Sequence, residues 1–99
     1  MAQNRPLSVS ARAKRWGPSE RRCEALRILA RTGHEGMMED KLVGTLAYST
    51  GVTRKTAYDD VKTLQAAGLI ELLFYPVGRK LALTPFGETE FKRMQGART

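Results

Sequence analysis

Two helix-like hydrophobic patterns follow each other closely in this chain, with only Thr50, Gly51 and Val52 between the end of the first and Thr53, the cap of the second. The first covers residues 39–49 and repeats Leu42, Val43, Leu46 and Ala47 at the three-to-four spacing of a buried helix face. The second covers residues 54–67 and repeats Ala57, Val61 and Leu64 at i, i+4 and i+7. A connection this short, with a glycine inside it, joins two helices at a steep angle. One face of the second helix then projects away from the core. Thr53 stands where that helix needs its N-cap, and Gly68 where it must end. Glu39 and Asp40 fall in the first turn of the other helix, where the dipole favours acids.

After Gly68 the period changes. Residues 69–75, LIELLFY, are apolar and β-prone, Pro76 to Arg79 form a turn, and residues 80–84 alternate Leu81 and Leu83 against Lys80 and Ala82. That pattern predicts a two-stranded hairpin. Thr84 and Pro85 then supply a cap and a first helical residue for a last helix of about ten residues. Phe86, Phe91 and Met94 can pack that helix on the core, and it fades after Gln95 and Gly96. Upstream, residues 19–31 carry an apolar stripe of Cys23, Leu26, Ile28, Leu29 and Ala30, with Gly33 at the C-terminal cap and a tiny strand at Met37 and Met38. The expected fold is α+β and mainly α: a three-helix core, a β-hairpin and a short C-terminal helix. Residues 1–18 read as a basic arm, 19–95 as one domain and 96–99 as a tail. The arm either orders on docking, with Leu7, Val9 and Trp16 as anchors, or serves as a disordered solubilising tail.

Several classes of function are disfavoured. The longest apolar run, residues 72–75, cannot span a bilayer, and the polar, basic start lacks the apolar stretch of a secretory signal. An intracellular protein is expected. One cysteine, Cys23, and one histidine, His34, make neither an internal disulfide nor a metal site. Asp59 and Asp60 are adjacent on a helix, so they point about 100° apart and do not converge on one ion. No catalytic constellation of serine, histidine or cysteine is present, and neither enzyme activity nor a cofactor is expected.

The charge points to a partner. Lys and Arg number 17 against 10 acids, a net charge of +7. Arg5, Arg12, Lys14 and Arg15 lie in an arm that has no acid. A basic arm on a mildly basic domain suits a polyanion. With Ala57, Val61 and Leu64 turned inward, a rotation of about 100° per residue leaves Lys55, Asp59 and Lys62 outward, flanked by Thr56, Tyr58 and Thr63. Thr53 and Arg54 lie at the helix start. The major groove of DNA accepts a helix, and the N-terminal residues of such a helix reach base edges. Free backbone N–H groups at the same end favour a phosphate. The candidate surface is therefore Thr53, Arg54, Lys55, Thr56, Tyr58, Asp59 and Lys62, with Arg79 and Lys80 of the hairpin on adjacent backbone. Arg12, Lys14 and Arg15 of the arm can reach a neighbouring groove. Equally, Lys55, Asp59 and Lys62 can pair along a solvated helix face, each pair worth about 0.2–0.5 kcal/mol.

The stretches LAYSTGVTRKTAYDDVKTLQAAGLI, FYPVGRKLALT and LTPFGETEF, in that order, resemble the winged-helix family of prokaryotic transcription regulators, broadly MarR- and PadR-like. The resemblance covers residues 19–94. It implies a winged helix-turn-helix with residues 53–62 as recognition helix and 76–80 as wing tip. Many relatives carry a basic residue where this chain has Asp59, and the long flanking helices that dimerise many relatives are missing. Asp59 can accept a hydrogen bond from cytosine, hold Lys55 and Lys62 in place, or face a protein. Tyr58 either packs its ring on the preceding helix with the hydroxyl outward, or contacts DNA directly. The expected function is sequence-specific binding of double-stranded DNA by a homodimeric transcription regulator. The alternative is a winged-helix protein–protein interaction module in a replication or transcription assembly.

Overall fold

The computed structural model describes residues 16–76 and 78–98, and the arm residues Leu7, Val9, Arg12, Lys14 and Arg15 lie outside them. The chain runs α1 (Pro18–Ala30), a 3₁₀ turn (Gly33–Glu35), β1 (Met37–Met38), α2 (Glu39–Thr50), α3 (Arg54–Ala66), β2 (Ile70–Tyr75), β3 (Gly78–Leu83) and α4 (Pro85–Arg98). It is an α+β fold, mainly helical, with a small antiparallel sheet in the order β1-β3-β2.

The helix ends follow from side-chain chemistry. Gly17 N–H donates to the Glu20 carboxylate at 2.9 Å, closing the start of α1. Thr53 Oγ1 accepts from Thr56 N–H at 3.1 Å and caps α3. Thr84 Oγ1 accepts from Gly87 N–H at 2.9 Å and donates to the Gly68 carbonyl at 2.7 Å. One hydroxyl thus ties the start of α4 to the end of α3.

The core lies where α1, α2 and α3 meet one face of the sheet. Leu26, Leu29, Leu42, Leu46, Val61, Leu64, Ile70 and Leu81 are fully buried. Each such side chain contributes roughly 1.5–3 kcal/mol over the exposed state. In the sheet Met37, Leu81 and Leu72 stand opposite one another, as do Ile70 and Leu83, and all five side chains belong to the core or pack against it.

The structure corrects the expected stripe of α1. Ala30 is exposed and Cys23 is only half-buried, while Glu24 and Ala25 are buried. Glu24 tolerates this site because Arg27 grips its carboxylate with bonds of 2.8 and 2.6 Å. A buried acid also sits on α3: Asp60 accepts from Arg21 Nε at 2.6 Å and Nη2 at 3.2 Å. Arg21 Nη1 donates to the Trp16 carbonyl at 3.1 Å, so the same side chain fixes where the chain enters α1.

The hairpin turn is tighter than the sequence suggests. Tyr75 pairs with Gly78, so β3 begins at Gly78 and Arg79 belongs to the strand. Gly78 has φ 141, a conformation that glycine adopts readily and other residues do not. The last helix is also longer than expected, running through the tail to Arg98.

Candidate functional site

The exposed side of α3 carries the predicted cations, but their settings differ. Lys55 is the most open, with 86% of its side chain exposed and its ammonium 3.7 Å from Asp59, itself 63% exposed. Thr53 Oγ1 donates to Thr56 Oγ1 at 3.1 Å, so both hydroxyls are engaged at the cap. Arg54 folds back across α2, where its Nη2 lies 2.6 Å from Asp40. Lys62 also turns toward α2, 2.8 Å from Glu39. That hydrogen bond holds its ammonium charged above the usual lysine range, against the opposing effect of burial. The Lys62 ammonium lies 5.1 Å from the centre of the Tyr58 ring, which is 43% exposed. The outward angles read from the helix period therefore hold for Lys55 and Asp59. Lys62 is drawn sideways by a partner on another helix.

A groove of about 360 Å³ separates α3 from the sheet, lined by Met38, Glu39, Asp40, Tyr58, Lys62, Leu72 and Arg79. A second hollow of about 300 Å³ lies beside it, lined by Glu39, Asp40, Val43, Arg54, Lys55 and Tyr58. The shared residues Glu39, Asp40 and Tyr58 join the two into one surface running from Lys55 to Arg79. Arg79 reaches it because it stands opposite Phe74 on the core-facing side of the sheet, beyond the end of the core. Among the described residues, Arg79 has no acidic partner.

Lys80 is not brought to this surface. Neighbouring strand residues point to opposite faces. Lys80 stands opposite Met38 and Leu73, with its ammonium 5.3 Å from the centre of the Tyr75 ring.

The periodicity missed the acids of the site. Glu39 and Asp40 stand at the start of α2, as the dipole prefers, but they also neutralise Lys62 and Arg54. Asp60 could have been found: it lies three residues after Ala57 and four before Leu64, within the buried arc, where a carboxylate needs a cation. Asp59 is exposed beside Lys55 and Asp60 is buried against Arg21, so the two carboxylates diverge. Among the described residues, no three histidine, cysteine or acidic side chains are grouped to hold a metal ion. Within the same residues, no helix is long and apolar enough to cross a membrane. Comparison with protein families, with curated proteins and with solved structures finds no match for the chain.

Proposed function

We propose that the surface formed by α3 and β3 binds double-stranded DNA, with the chain acting as an intracellular winged-helix transcription regulator. The observation that supports this most is the continuity of one surface from Lys55, at the open start of α3, to Arg79 on the hairpin, which has no acidic partner among the described residues. α3 enters the major groove with its first turn toward base edges, and Arg79 takes a phosphate beside it. One such helix reads few base pairs, so two copies on a palindromic site form part of the proposal. Regulation follows from occupying the DNA.

Selection of bound fragments from random duplex DNA supplies the cognate site for the test. Lys55→Ala should then lose about 1–3 kcal/mol of preference for that site over random duplex. Arg79→Ala should weaken all duplexes about equally and lower the salt slope by about one. If neither change alters binding, this surface is not the contact.

A second reading, a protein-docking winged helix, is favoured by Phe74, which stands 75% exposed near the hairpin tip. It predicts weak duplex binding and a strong effect of Phe74→Ala on partner capture.

A further inference from the structure

Non-specific DNA binding is the sum of phosphate contacts, each made by a cation able to leave its own partner. Two of the four cations on α3 and β3 that face the joined groove are already held by acids of α2. Arg54 passes close over Gly44 of that helix: a Cβ there would stand 2.8 Å from Arg54 Nη1. Its guanidinium meets Asp40 at 2.6 Å, and Lys62 meets Glu39 at 2.8 Å. Both carboxylates line both hollows, so a phosphate settling between α3 and Arg79 meets negative charge beside these cations. The Asp40 side chain is 92% exposed, and an ion pair this open adds little to stability.

We propose that Glu39 and Asp40 are specificity-determining residues, which withhold Lys62 and Arg54 from the backbone of arbitrary DNA. The proposal rests on the DNA-binding reading above. Random duplex is left with Arg79 and with Lys55, whose ammonium lies a looser 3.7 Å from Asp59, as the readier phosphate contacts. A cognate site adds base-edge contacts along α3 that offset opening the two pairs. Discrimination arises by penalising the wrong partner as well as by attracting the right one.

The test uses the full chain with Glu39→Gln, Asp40→Asn and the double variant, and measures binding to random duplex and to the selected site across a salt series. The double variant should bind random duplex roughly tenfold more tightly at 0.1 M salt, with a slope steeper by up to about 1.8. Its preference for the selected site should fall. Gly44→Ala crowds the Arg54 guanidinium where it crosses α2 while keeping both acids, and should shift random binding in the same direction by less. Circular dichroism of each variant should match the parent. Unchanged or weaker random binding by the double variant, with the parent's slope, would overturn the proposal and leave DNA binding standing. A parent and double variant that both ignore duplex DNA at low salt would overturn both.

Discussion

Gly87→Ala is expected to lower the melting temperature by on the order of 15 °C, from a loss of roughly 3 kcal/mol. Gly87 lies in the first turn of α4, where that helix meets the segment between α3 and β2 at Leu69. A Cβ at this position would meet the backbone of Leu69: its carbonyl oxygen at 1.9 Å and its carbonyl carbon at 2.9 Å. Those atoms cannot swing aside as a side chain does. The Leu69 carbonyl also accepts from Thr84 N–H at 3.1 Å, and Thr84 Oγ1 donates to the Gly68 carbonyl at 2.7 Å. Moving α4 outward to admit a methyl group stretches both bonds at once. Gly96→Ala is the matched control, because that glycine is in the same helix and a Cβ there meets nothing within 4 Å. It should be neutral, or stabilising by up to about 1 kcal/mol, from helix propensity alone. Thermal unfolding followed by circular dichroism separates the two. Equal melting temperatures would show that α4 is not seated against Leu69.

Asp60→Ala should cost about 3 kcal/mol, because it leaves Arg21 charged, largely buried and without its carboxylate. The side chains of Arg21 and Asp60 are only 15% and 7% exposed, and their forked contact joins α1 to α3. The paired replacement of Arg21 by Met and Asp60 by Leu should recover most of that loss, since apolar residues of similar volume need no compensation. Urea unfolding of the single and double variants tests this. A single variant as stable as the parent would mean that the pair is solvated in solution.

The order of elements was legible because each signal was local. The three-to-four spacing of Leu42, Val43 and Leu46, the cap at Thr53, and the Thr84–Pro85 start of α4 each depend on a few neighbouring residues. The exposed start of α3 followed from the same spacing, and Lys55 and Asp59 lie where it pointed. The partners of the site's charges were not legible. Asp40 meets Arg54 and Glu39 meets Lys62 only after α2 and α3 have packed, and no period along one helix contains that pairing. Gly87 falls within the stretch LTPFGETEF that carries the family resemblance, but the physical reason for a glycine there lies on another segment, at the Leu69 carbonyl. The separation of Arg79 from Lys80 was lost for a different reason. A strand alternates faces with every residue, so moving its start from Lys80 to Gly78 decides whether Arg79 is a turn residue or a strand residue with a fixed face.

Titration of the isotope-labelled chain with a short random duplex at low salt, followed amide by amide in nuclear magnetic resonance spectra, tests the proposed contact of α3 with DNA most directly. The expected perturbations cluster at residues 53–62 and at Arg79, and shrink together as salt is raised. Perturbations confined to α1 and α4, or a spectrum that does not change, would contradict it.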